Sequence, residues 1–358
     1  MCTSIRFNGA DGSMYFGRNL DWVCGYGESI VFSPRNLPYR SVLGAPQHAE
    51  GFAVVGVGVC AQGRPMYFDC ANERGLAVAG LNFPGYADFP HEPVDGVDSV
   101  ATFELPYWIC RNFETVDELA AALEHTDIVS LVVPGKPESF LHWMVADASR
   151  SIVIERTATG LHVYDNTVDT LANQPEFGWH LENLRNYMTS APEFAEPVSW
   201  GRQELAAWGA GVSMRGIPGD ACSPSRFVRA AYTNAHYPVK DNERENVSRL
   251  FHTLGGVQMV EGTAAVSDGR LEKTLFTSGY SSSTNTYYVN SYDDFAIRSF
   301  PMSDFDQDGI EIQTRPMCKR LSTLALRATR RCAHGVRHPA PRLASRRGCA
   351  CARAWFVT

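Results

Sequence analysis

A thiol at position 2 can bring two catalytic groups into one residue. If Met1 is removed, Cys2 carries its sulfur beside a free α-amine. These groups titrate ordinarily near ~8.5 and ~8. One residue then supplies a nucleophile and the base that takes up its proton. The small side chain behind Met1 predicts that removal. Taken by itself, a cysteine here is more often an ordinary buried thiol. Arg18 and Asp21 stand one hairpin away, in GRNLDW.

The elements around these residues read first as strands. CTSIRF and SMYFGRN flank the turn cluster NGADG, a hairpin signature. ESIVFSP, FAVVGVGV, MYFDC and LAVAGLN follow, short, β-branched or aromatic, and bounded by turn residues. Helical spacing appears in SVATFELPYWICRNF around Pro106, and TVDELAAALEH opens with Thr115 and Glu118 spaced as a capping box. LHWMVAD, SIVIER and GLHVYD are strands again. GWHLENLRNYM, SPSRFVRAAYTNAH and DNERENVSRLFHTL are helices, the second with Ser223 as its cap and proline in its first turn. KTLFTSGY, STNTYYVNS and FAIRSF close the series as strands. The expected fold class is α+β, a four-layer αββα sandwich of two antiparallel sheets without an internal boundary.

The 358 residues, 44% apolar, suffice for a large core. No run reaches the ~20 apolar residues of a membrane span, and the start lacks a signal-peptide pattern. A cytoplasmic protein is expected, its ten cysteines mostly reduced. Cys349 and Cys351 have no companion pair at metal-ligand spacing, so no structural zinc site is expected. Residues 1–313 hold 21 basic and 39 acidic groups, a balance of −18, whereas 314–358 hold 11 basic groups and no acid. The acidic body argues against nucleic-acid binding. We therefore divide the chain into one domain at 1–313 and a basic Arg-, Ala- and Cys-rich tail at 314–358. That tail reads as a disordered or altered-frame appendage, with attachment to a membrane surface or nucleic acid as the alternative.

Five segments in order, MCTSIRF, GRNLDW, YFDCANERGLAVAGLNFPGYA, LANQPEFGWHLENL and GDACSPSRFVRAAY, resemble the choloylglycine hydrolases. That group contains bile salt hydrolases and penicillin V acylases among the N-terminal nucleophile hydrolases. The resemblance runs from Cys2 to about Asp308. It implies two stacked antiparallel sheets between helices, a cytoplasmic homotetramer, and neither metal nor organic cofactor.

Residue by residue, it implies Cys2 as nucleophile with Arg18, Asp21, Asn82, Asn173 and Arg226 around it. A guanidinium such as Arg18 favours a neighbouring thiolate. Asp21 can hold the new α-ammonium or an arginine by charge-assisted hydrogen bonds. The Asn173 side chain and the Asn82 backbone N–H would form the oxyanion hole, where loss of one donor typically costs ~2.7–4 kcal/mol. Arg226 would sit in the first turn of a helix, where a cation opposes the dipole. That placement calls for an acidic partner or a site role.

Bile salt hydrolases resemble one another in having Asn at position 82, where penicillin V acylases usually carry Tyr, so conjugated bile salts are the expected substrate. Leu20 and Leu81 near the nucleophile, and Val132, Val133 and Phe140 in a variable loop, are the candidate apolar contacts for a steroid. Preference for glycine or taurine stays open. The rivals are a penicillin V acylase with the same catalysis, and a binding protein attached through its basic tail in which Cys2 is inert.

Overall fold

The computed structural model describes residues 1–131 and 138–317. In chain order the first strands are β1 (Cys2–Asn8), β2 (Met14–Trp22), β3 (Ser29–Ser33), β4 (Val54–Ala61), β5 (Arg64–Asn72), β6 (Ala77–Asn82) and β7 (Asp98–Ala101). Helices α1 (Leu105–Asn112) and α2 (Val116–Leu123) follow, then β8 (Thr126–Val129), β9 (Leu141–Ala146), β10 (Ser151–Thr157), β11 (Gly160–Asp165) and β12 (Thr170–Leu171). The remainder comprises α3 (Phe177–Leu184), β13 (Val198–Trp200), β14 (Gln203–Leu205), α4 (Ser223–His236), α5 (Glu243–Gly255), β15 (Lys273–Ser281), β16 (Thr286–Ser291), β17 (Asp294–Pro301) and β18 (Gln313–Arg315).

Two large antiparallel sheets result. One has six strands in the order β12-β1-β2-β15-β16-β17, the other eight in the order β11-β10-β9-β6-β5-β4-β3-β18. Successive side chains of a strand point to opposite faces, and the sequence uses both. Met14, Phe16 and Leu20 of β2 join Phe32, Val55 and Met144 in a core between the sheets. Ile5, Phe7 and Tyr15 point the other way, into a cluster with Val247, Leu250 and Phe251 of α5. On the far side of the second sheet, Leu105, Trp108 and Ile109 of α1 pack with Val54, Val78 and Val145. Helix, sheet, sheet, helix is the expected layering.

Close approach of α5 depends on two glycines paired across β2 and β15, Gly17 and Gly279. A Cβ on Gly17 would stand 2.5 Å from Ser278 O and 2.8 Å from a Leu250 methyl, closer than packed atoms tolerate. The hairpin β1–β2 turns at Gly12, φ +82°, a conformation that favours glycine.

Three expectations need correction. The helix read across SVATFELPYWICRNF is a strand and a shorter helix: β7 pairs in parallel with β8, and α1 begins at Leu105. Pro106 fits only the first turn, where no N–H is required, so the helix cannot extend upstream. Ser223 is the first residue of α4 and not its cap; Cys222 holds that position without a side-chain hydrogen bond. The boundary drawn after residue 313 falls inside β18, which pairs with β3 through Gln313, Thr314 and Arg315. The body forms one unit from Met1 to Met317. The expectations for the rest of the tail, and for Val132 and Val133, lie outside the described residues.

Candidate active site

Cys2 lies opposite Leu20, and Ser4 opposite Arg18. Arg18 is therefore a diagonal neighbour of Cys2, on the face turned toward the second sheet. Arg18 Nη2 donates to Cys2 Sγ at 3.0 Å and to Gly80 O at 2.8 Å, while Nη1 meets Asp69 Oδ2 at 3.2 Å. All three side chains are buried. Burial works against the guanidinium's charge, but Cys2, Asp69 and Asp21 more than offset it and leave Arg18 above its ordinary value. Burial pushes Asp69 up to about 6 against the pull of Arg18. Asp69 also accepts from Ser278 Oγ at 2.8 Å and from the Tyr287 hydroxyl.

Asp21, three residues beyond Arg18, points to the opposite face. A bulge in β15 between Thr274 and Phe276 sets Thr274 opposite Asp21 while Phe276 turns back to the inter-sheet core. Thr274 Oγ1 donates to Asp21 Oδ1 at 2.6 Å. Asp21 Oδ2 is buried without a hydrogen-bond partner and lies 4.0 Å from Arg226 Nη1. Burial raises Asp21 above the usual carboxylate range, against the pull of Arg226 and the terminal ammonium.

Asn173, just beyond β12, joins the two groups. Its Oδ1 accepts from the Cys2 N–H at 2.7 Å and from Arg226 Nη2 at 2.6 Å. Its Nδ2 donates to Asn82 O at 2.6 Å. Phe83 N–H donates to Phe140 O at 2.7 Å across β6 and β9. By antiparallel alternation, Asn82 then directs its N–H and C=O to the other edge, where Asn173 stands. Arg226 Nη1 also donates to Cys2 O and, at 2.5 Å, to Thr3 Oγ1. Burial lowers Arg226 from its ordinary value. The acidic partner that its position in α4 called for is Asp21.

The structure thus gathers Cys2, Arg18, Asp21, Asn82, Asn173 and Arg226. Leu20 stands beside Cys2, 6% exposed, whereas Leu81 is fully buried in the core between the sheets. Phe140 is exposed. Sequence reasoning missed Asp69, Ser223, Thr274 and Glu272. Strand alternation in MYFDC would have put Asp69 on the face of Tyr67, but a register shift at Phe68 turns it to the other face, toward Arg18. Ser223 Oγ accepts from Asn173 N–H at 2.9 Å. Glu272 holds the terminus: Met1 N donates to Glu272 Oε1 and to Asp21 O, each at 2.7 Å. Asp21 N–H returns a bond to Met1 O at 2.8 Å. Among the described residues, no cluster of three His, Cys, Asp or Glu could hold a metal ion.

Two antiparallel sheets enclosed by helices, with a cysteine entering the first strand beside an arginine, define the fold of the N-terminal nucleophile hydrolases. Residues 2–315 match the family described as linear amide C–N hydrolases, choloylglycine hydrolase family. The chain belongs to that family and is an amidohydrolase acting on linear amides.

It is 61% identical over 312 residues to a bile salt hydrolase/transferase of Bifidobacterium longum subsp. longum, covering 87% of this chain and 98% of the relative. It is 39% identical to a conjugated bile acid hydrolase of Lactobacillus acidophilus, covering 88% and 100%. The R18L variant of the conjugated bile acid hydrolase from Clostridium perfringens superposes with a TM-score of 0.82 at 32% identity, covering 91% of this chain and all of that one. A penicillin V acylase from Agrobacterium tumefaciens, at 19% identity and a TM-score of 0.68, shares the fold.

Proposed function

We propose that this protein hydrolyses the C24 amide of glycine- or taurine-conjugated bile salts, using Cys2 as nucleophile once Met1 has been removed. The observation that carries the reading is the hydrogen bond from Arg18 to Cys2 Sγ at 3.0 Å, from a cation that burial denies any water. The names of relatives at 61% and 39% identity supply the substrate class.

In this mechanism the sulfur attacks the amide carbonyl and the α-amine takes the thiol proton. The developing oxyanion faces the Asn82 N–H and the second proton of Asn173 Nδ2. The α-ammonium returns its proton to the leaving nitrogen, and glycine or taurine departs. A water then attacks the thioester, again giving its proton to the amine, and the released bile acid leaves a thiol behind. Removal of Met1 turns a peptide N–H into an ammonium with two further protons, donors that the unpartnered Asp21 Oδ2 lacks. Arg226 holds Asn173 Oδ1 and the Cys2 carbonyl in register with both.

Release of amino acid from glycocholate and taurocholate, followed with ninhydrin, tests the reading. Cys2→Ala should abolish it, and full activity in that variant would refute the mechanism. Asn82 favours bile salts over phenoxymethylpenicillin, and faster turnover of the penicillin would transfer the protein to the acylase branch. Retention on DNA or anionic vesicles that is lost on deleting the basic tail, in a chain without hydrolytic activity, would favour the binding-protein alternative.

The working form in this reading is a cytoplasmic homotetramer. A reducing compartment suits a thiol nucleophile, and no disulfide forms among the described cysteines. Between α3 and α4 an arm carrying the β13–β14 hairpin presents Met188, Phe194, Trp200 and Trp208 outward, the last 94% exposed. A lone chain gains nothing from exposing this much aromatic surface, and contact with sister subunits would bury it.

A further inference from the structure

Ala172 and Asn173 are fully buried although they lie outside regular structure, so their main-chain groups need partners from side chains. His142 of β9 supplies one: its Nε2 donates to Ala172 O at 3.0 Å. His180 of α3 supplies the next, donating from Nε2 to Asn173 O at 2.9 Å. Both rings are fixed by stacking, His142 on Phe83 at 4.2 Å and His180 on Phe227 at 4.4 Å. Behind His142 stands Glu155 of β10, whose Oε1 lies 3.0 Å from His142 Nδ1. The Glu155 oxygens also accept from Phe177 N–H at 3.1 and 3.2 Å. All three side chains are fully buried.

Donor and acceptor counting fixes the protons. A carbonyl oxygen only accepts, so His142 Nε2 carries a proton. A carboxylate and a bare ring nitrogen would repel at 3.0 Å, so a second proton lies between Nδ1 and Oε1. His142 and Glu155 share that proton, and the pair is buried away from water. His180 differs. Its Nδ1 is buried without a partner, and burial lowers the ring to about 4, so it stays neutral and donates through Nε2.

We propose that Glu155, His142 and His180 are positioning residues that hold the Ala172–Asn173 main chain and thereby aim the Asn173 side chain at the oxyanion. The inference rests on the reading of Asn173 given above. It predicts that damage to this unit is felt in the transition state more than in substrate binding.

Kinetics on conjugated bile salts test it. His142→Phe keeps the stacking ring and loses both hydrogen bonds. It should lower kcat by about 10- to 100-fold, the range for a displaced catalytic group, with KM changed less than about two-fold. Glu155→Ala should behave alike. Glu155→Gln should recover most of that loss, because its amide can donate to Nδ1 while its carbonyl accepts from Phe177. Asn173→Ala alone must be strongly impaired; if it is not, the oxyanion reading fails irrespective of the clamp. Adding His142→Phe to Asn173→Ala should cost less than about two-fold more, since both act through one group.

Full multiplication of the two effects, or a folded His142→Phe enzyme with normal kcat, would overturn the proposal. Should His142→Phe fail to fold, NMR of the histidine rings in the wild type decides. A proton on His142 Nε2 and a second one shared between Nδ1 and Glu155 are expected, the second lost in Glu155→Gln, and absence of the shared proton in the wild type contradicts the assignment.

Discussion

The guanidinium of Arg18 spans two side-chain acceptors at once, the Cys2 sulfur at 3.0 Å and the Asp69 carboxyl at 3.2 Å. A planar fork can do this and also reach Gly80 O, whereas a lysine ammonium is a single point that cannot serve three separated acceptors. Arg18→Lys should lower kcat/KM by about 100-fold or more, ~2.7 kcal/mol at ~1.36 kcal/mol per tenfold. It should also slow alkylation of Cys2 by iodoacetamide. Unchanged alkylation and turnover would remove Arg18 from the nucleophile's activation.

Chains that keep Met1 should be inactive, because the nitrogen of Cys2 is then an amide and cannot accept a proton. Protein made while methionine aminopeptidase is inhibited, sorted by intact mass, should show activity in proportion to its trimmed fraction. An active untrimmed species would contradict the mechanism.

His180 makes the fold sensitive to acid. Its ordinary value of ~6.5 is lowered to about 4 by burial, so the folded chain binds its proton less readily than the unfolded one. The contribution to stability is complete above ~6.5 and is lost as pH falls toward about 4. His180→Gln, whose amide can still donate to Asn173 O, should melt with less acid dependence across this window. Parallel melting curves for the two proteins would show that His180 does not govern this limb.

Replacing Trp200 and Trp208 together by Ser should shift the protein to smaller species in light scattering coupled to size exclusion. Neither side chain lies in the described core, so each subunit should keep its fold. Persistence of the wild-type mass would place the subunit contacts elsewhere.

Much of this architecture was legible because alternation and turn chemistry are local. The β1–β2 hairpin, the N-cap in which Thr115 accepts from Glu118 N–H, though Glu118 reaches back to Glu114 N–H and so does not close the capping box, and the extents of α4 and α5 all follow from short-range rules. Elements defined by distant partners were not legible. The two residues of β12 and the three of β18 are strands only because β1 and β3 lie beside them. The site divides along the same line. Cys2, Arg18 and Asp21 share one hairpin, but Asp69 and Thr274 reach it through strands β5 and β15, and the link from Asn173 to Ser223 joins a loop to a helix start 50 positions later. Ser223 looked like a cap because its type suits one; in the fold its hydroxyl serves the Asn173 backbone.

The backbone bonds of Met1 to Asp21, with Glu272 closing on its ammonium, add one more rung to the β1–β2 ladder. An exopeptidase needs that terminus loose, and unzipping it would expose the Glu272 carboxylate and the Asp21 amide together. If Cys2 works as proposed, trimming competes with folding, and a chain that closes first is stored inert. The specific activity of a preparation then records how often the peptidase arrived before the sheet did.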